Sequence, residues 1–156
     1  MVCIETYKPL IDLLNGLFTP ILAIVVAYIA YQQWKTNDRK EKREFREVKI
    51  SIYKRVKSHL DYTWTTREIK IDLYEDFKFA YAEANFIFPK ELNDFLSQIN
   101  TMSLCWVRDK EDLDCAHPNA NQKSIDKKIE DMDLYMDKLQ KAHDDLYDQF
   151  STYINE

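Results

Sequence analysis

The apolar positions of this chain form one nearly continuous run and then a series of stripes at helical spacing. The run is Leu17-Phe18-Thr19-Pro20-Ile21-Leu22-Ala23-Ile24-Val25-Val26-Ala27-Tyr28-Ile29-Ala30-Tyr31, and it leads directly into a stretch crowded with Lys and Arg. Downstream, Phe45, Val48, Ile52, Val56, Leu60 and Trp64 repeat every three to four residues, which predicts one helical face. No Pro or Gly separates this stripe from the run, so one long helix is expected to reach about Thr65. A second helix is expected with Asp72 and Glu75 as a capping box, Leu73, Phe77, Ala80, Tyr81 and Ala84 facing inward, and an end near Asn85. Pro89 is expected to open a third helix at its first position, with Leu92, Phe95, Leu96, Ile99, Met102 and Trp106 on the buried face.

Between Arg108 and Lys123 the apolar period disappears and the composition reads as a solvated loop. The last segment is the most regular. Ile125, Ile129, Met132, Met136, Leu139, His143, Leu146, Phe150 and Tyr153 alternate steps of four and three, the seam of a helix packed nearly parallel to its neighbours. With three other apolar-faced segments seeking partners, an antiparallel bundle is favoured over an intermolecular coiled coil.

The run near the N-terminus reads as a membrane anchor. Eight of its fifteen residues are Leu, Ile, Val or Phe, which together contribute about −2 to −5 kcal/mol to insertion. Fifteen helical residues cover only about 22 Å of a hydrocarbon core about 30 Å thick, so the span must recruit Leu10, Ile11, Leu13 and Leu14. A span over residues 10–33, kinked near Pro20, is the favoured reading. The competing one ends a short helix at Gly16 and restarts with Thr19 as N-cap and Pro20 at the first helical position.

Charge gives this anchor a direction. Residues 35–57 hold ten Lys or Arg against four acidic groups, net +6, whereas residues 58–156 hold eleven basic against twenty-one acidic, net −10. Ten Lys or Arg follow the span and only Lys8 stands in the nine residues before it, so the positive-inside rule places the C-terminal part in the cytoplasm. Tyr28, Tyr31 and Trp34 are expected at the inner interface, with Lys35, Arg39, Lys40, Lys42 and Arg43 among anionic headgroups. The acidic remainder would repel a phosphate backbone, so no nucleic-acid partner is expected. The exit lacks a small-residue cleavage site, so the anchor is expected to be retained.

The chain's single Gly is Gly16, so the part beyond the anchor has no inexpensive route to left-handed backbone. Hairpins and phosphate-cradling loops are disfavoured. Helices joined by short polar turns are expected instead.

The segments Tyr28-Ile29-Ala30-Tyr31-Gln32-Gln33-Trp34-Lys35-Thr36-Asn37 and Ile50-Ser51-Ile52-Tyr53-Lys54-Arg55-Val56-Lys57 resemble a widespread group of small, functionally uncharacterised bacterial membrane proteins. Ala84-Asn85-Phe86-Ile87-Phe88-Pro89-Lys90-Glu91-Leu92 is similar to that group's second recurring motif, and Leu146-Tyr147-Asp148-Gln149-Phe150 to its closing helix. The resemblance covers about half the chain and leaves out the acidic loop with Cys115. It implies an N-terminal span and a helical cytoplasmic region, and brings no activity or catalytic residue.

Candidate chemistry is sparse. Cys105, Cys115 and His117, with Asp114, are the best metal candidates, but paired Cys at structural-zinc spacing are missing. Asp109, Glu111, Asp112 and Asp114 lack the Gly and the twelfth-position Glu of a calcium loop, where Ala120 stands. His143 and His59 fall on or beside apolar stripes, as hydrogen-bonded core histidines do. Asp144, Asp145 and Asp148 point off the seam. No Ser or Cys has a base beside it in sequence. Three Cys imply no disulfide framework, with Cys3 outside and the other two inside.

The expectation is an all-α protein: residues 1–34 a tail and transmembrane anchor, residues 35–156 an antiparallel cytoplasmic bundle of about four helices with a loop at about 108–123. Anchor and first cytoplasmic helix are expected to form one mechanical unit. The expected role is non-enzymatic and cofactor-free: a single-pass scaffold, regulator or subunit at the bacterial inner membrane, with the N-terminus outside and the seam of the last helix available for a protein partner or a second copy. The alternative is an oligomerising effector of a defence, exclusion or toxicity system that perturbs the bilayer.

Overall fold

With no Gly or Pro between Ile21 and Phe88, nothing in the backbone chemistry ends a helix there, and the first one is long. The computed structural model describes residues 8–115 and 122–154 and, within them, the side chains other than those of 8–15, 17 and 19. Four helices occupy them: α1 (Lys8–Thr66), α2 (Ile71–Ile87), α3 (Lys90–Asp114) and α4 (Gln122–Ile154). The protein is all-α among the described residues. It divides into two units, Met1–Phe45 and Arg46–Glu156, and α1 contributes to both. Pro20 lies inside α1, so the helix does not restart at Thr19 as the competing reading supposed. The side chains expected to lengthen the span, at 10, 11, 13 and 14, lie outside the described residues, as does that of residue 17 in the run. Among those described, no helix is long and apolar enough to cross a membrane.

The second unit is a helical bundle. Ile52, Val56 and Leu60 of α1 join Phe77, Ala80 and Ala84 of α2, Leu92, Leu96 and Ile99 of α3, and Met136, Leu139, Leu146 and Phe150 of α4 in one core. Cross-helix pairs give the directions. Lys49 donates to the Tyr153 carbonyl at 2.7 Å, Tyr53 meets the Phe150 ring edge-on, and Asp61 bonds His143, so α4 descends as α1 rises. Arg55 reaches Asp76 and Glu83, both at 2.9 Å, while His59 lies against Tyr74 and Phe77, so α2 is also antiparallel to α1. Of the expected α1 stripe, Phe45, Val48 and Trp64 are exposed, and His59 and Thr63 are buried in their stead.

Helix ends depart from expectation in physical detail. The N-cap of α2 is Lys70 and no side chain caps it; Asp72 sits inside the first turn, where its carboxylate favours the helix dipole. Buried Ile69 pins the chain just ahead of that start, so the expected Asp72–Glu75 capping box does not form. Pro89 is the N-cap of α3 rather than its first residue. Its carbonyl accepts the Asn93 N–H at 3.2 Å, and Asn93 Nδ2 donates to the Phe88 carbonyl at 2.9 Å.

The loop expected from 108 is helical to Asp114. Apolar spacing is not what holds that turn: Lys110 pairs with Asp114 at 3.3 Å within α3, and Lys128 of α4 pairs with Asp112 and approaches Asp109. Arg, Lys and Glu are good helix formers, and one half-buried cation binding two acidic side chains extends the helix where the hydrophobic pattern stops.

The α1–α2 turn needs one left-handed residue and has no Gly for it. Arg67 takes φ 53°, and its N–H donates to the Thr63 carbonyl at 2.9 Å, closing an αL cap. Its guanidinium reaches Asp137 at 3.2 Å and Asp133 at 3.5 Å. Arg67→Ala should cost about 1 kcal/mol, because the strain stays and the pairs go, while Arg67→Gly should be near neutral, because relief of about 1 kcal/mol of strain offsets the lost surface pairs. Chemical denaturation of the full chain with each variant measures the difference, and equal effects would remove the strain argument.

Candidate functional site

Three places combine chemistry with placement. The first is the surface of α1 in the N-terminal unit. Successive helical residues turn through about 100°, so a stretch of eight samples every direction around the axis. Phe18, Ile21, Leu22, Ile24, Val25, Val26, Tyr28 and Ile29 are all exposed, from 46% at Val25 to 70% at Ile24. This surface has no polar face. At its C-terminal end Gln32 Nε2 donates to the Tyr28 hydroxyl at 2.9 Å, Thr36 Oγ1 to the Gln32 carbonyl at 2.8 Å, and the Tyr31 and Trp34 rings lie 6.2 Å apart. Lys35, Arg39, Lys40, Lys42 and Arg43 are exposed beyond it, Lys42 pairing with Asp38 and Lys40 with Glu44.

The second place joins α1 to α4. Asp61 Oδ1 accepts from His143 Nε2 at 2.8 Å and Oδ2 from Lys57 Nζ at 2.6 Å, while Trp64 stacks on the His143 ring at 5.6 Å, nearly parallel. Burial pushes the Asp61 carboxyl up, but the bonds from Lys57 and His143 outweigh it and hold the group below the ordinary carboxylate range. The bond to Asp61 likewise raises Lys57. Both ring nitrogens of His143 face carboxylates, since Nδ1 lies 3.5 Å from Asp144. By joining α1 to α4 through Asp61, this constellation forms a latch between helices.

The third is a polar layer in the core. His59 is 1% exposed, its Nε2 lies 3.0 Å from Ser103 Oγ of α3, and its ring stacks on Phe77 at 5.0 Å. Its Nδ1 is buried with no partner. Burial pushes this imidazole down to about 4. Thr63 donates to the His59 carbonyl, and Tyr74 to Asn100 Oδ1 at 3.1 Å. Reading only apolar letters misses this layer. Ser103 lies four residues after Ile99 and three before Trp106, on the same stripe, and that position was its only signal.

The seam residues of α4 divide. Met136, Leu139, Leu146 and Phe150 are buried in the protein's own core, as is Ala142, which the seam had not included. Ile125, Met132, His143 and Tyr153 are half-buried, and Ile129 is exposed. Cys105 is half-buried on α3 and Cys115 exposed at its end; ten helical residues put them about 15 Å apart along the axis, too far to share one ion. His117, Ala120 and Cys3 lie outside the described residues. Among the described residues no group of three His, Cys, Asp or Glu is placed to hold a metal. Comparison with family models, curated proteins and solved structures found no match to this chain.

Proposed function

We propose that residues 10–33 anchor this chain in the bacterial inner membrane and that the bundle is a non-catalytic cytoplasmic module holding a protein partner there. The observation that carries the reading is the all-round apolar, exposed surface of α1. A helical stretch without a polar face, and with no described residue packed on it, is suited to hydrocarbon rather than water. Twenty-four helical residues extend about 36 Å, enough for a core about 30 Å thick. Tyr28, Tyr31 and Trp34 then lie at the headgroup level, and the cations from Lys35 to Arg43 face anionic lipid, each contributing about 1 kcal/mol when near the surface. A contact role for the bundle is supported by its exposed aromatic side chains, Phe79, Phe86 and Tyr147 among them.

Carbonate-washed membranes are expected to retain the full chain. In intact cells an impermeant thiol reagent should label Cys3 and spare Cys105 and Cys115, with Cys115 reacting once the membrane is opened. Recovery of the chain in the wash would overturn the anchor, and labelling of Cys115 in intact cells would reverse the orientation. Loss of membrane potential on overexpression, dependent on residues 10–33, would replace the scaffold with a bilayer-perturbing effector.

A further inference from the structure

The core-facing side chains of α2 are Tyr74, Phe77, Ala80 and Ala84, and at about 100° per residue Phe79 and Phe86 lie on the opposite pole of the helix. Phe79 is 66% exposed and Phe86 91%. Asp72, Glu75 and Ala82 share that pole and are exposed. Large rings held in water seven residues apart, beside Glu75 and an Asp72 that Lys70 approaches at 3.9 Å, form an acidic, apolar ridge on which no described residue packs.

A complementary hollow lies elsewhere on the same unit. Phe95, Ile99 and Met102 of α3 and Ala142 of α4 floor a groove of about 250 Å³, with Lys138 and Lys141 on its rim. That volume is below the range of small-molecule pockets and takes one aromatic side chain. Neither Lys138 nor Lys141 joins an ion pair among the described residues. With Asp145, also on the rim, the groove carries net +1, whereas residues 46–156 hold sixteen basic against twenty-two acidic groups, net −6. The groove is a basic, apolar exception on an acidic unit.

We propose that the α2 ridge of one copy docks into the α3–α4 groove of a second copy, Phe79 entering the hollow and Glu75 and Asp72, one and two turns away on the same face, meeting Lys138 and Lys141. The ridge points away from its own core and the groove is built by two other helices, so one copy cannot satisfy both. The two surfaces differ, so the contact closes as a reciprocal two-fold pair or continues as a ring or a row. This names a second copy as the partner in the reading above and rests on that reading only for tethering, which raises effective concentration enough for a small interface to suffice.

The test coexpresses two differently tagged full-length chains whose native cysteines, Cys3, Cys105 and Cys115, are serine, one carrying F79C and the other Q98C. Mild oxidation should join the two tags. K138E with K141E in the Q98C copy should lower the yield about tenfold, the loss expected of a truncated hot-spot contact, and E75K in the F79C copy should recover much of it. Linkage only between identical tags, or none, overturns the proposal, as does a yield indifferent to the charge changes. Both membrane and soluble fractions are assayed, so a chain that leaves the membrane defeats the anchor reading while the cross-link still decides this one.

Discussion

Phe150→Ala is expected to destabilise the bundle by about 3–5 kcal/mol, the cost of deleting a fully buried aromatic ring that its surroundings cannot refill. Phe150 has no exposed surface, and it meets Tyr53 of α1 edge-on at 5.3 Å and Phe88, at the α2–α3 junction, at 5.4 Å. One ring thus ties the last turns of α4 to both, next to the point where Lys49 caps the Tyr153 carbonyl. A domain of this size is stable by about 5–15 kcal/mol in total, so the variant should melt on the order of 15 °C or more below the parent, followed by helical circular dichroism of the full chain in micelles. Phe86→Ala deletes the same ring from an exposed site and should change stability by less than about 0.5 kcal/mol. A loss below about 1 kcal/mol at Phe150 would mean that α4 does not close this core.

That contrast marks where periodicity could and could not be read. Ile52, Val56 and Leu60, Leu92, Leu96 and Ile99, and Leu139, Leu146 and Phe150 were legible as buried faces because spacing by three and four has one physical meaning in segments that no Gly or Pro interrupts. The end of α3 was not legible, because Asp109, Glu111, Asp112 and Asp114 read as solvent-loving until Lys128 is seen beside them. The same limit hid the latch: Asp61 and His143 are 82 residues apart, and no local pattern announces that they meet. Phe79 and Phe86 were the opposite case. Both fall off the inward face that Phe77, Ala80 and Ala84 define, so their exposure follows from the same spacing. Ser103 and His59 show a second limit, in which polar residues occupy core positions because each supplies the other with a bond.

That last pair makes the bundle sensitive to acid. The imidazole of His59 titrates near 6.5 in an unfolded chain and is pushed down by burial to about 4 in the folded one. Above about pH 6.5 the ring is neutral in both states and imposes no proton-linked cost. As pH falls from there, the unfolded chain takes up a proton that the folded one refuses, so stability declines until about pH 4, by about 3 kcal/mol in all. The Asp61 carboxyl, held below its ordinary range by Lys57 and His143, also favours the folded chain at higher pH, but its contribution is lost as pH falls through the carboxylate range, below most of the imidazole window. Ser103→Ala should cost about 1–3 kcal/mol at neutral pH, since it leaves a second buried ring nitrogen without a partner. His59→Leu with Ser103→Ala removes both partners together and should be near neutral at pH 7, yet clearly more stable than the parent at pH 4.5. Denaturation midpoints of parent and double variant between pH 7 and 4.5 decide it: parallel curves would mean that His59 is protonated inside the fold, and a growing gap in favour of the double variant is the expected result.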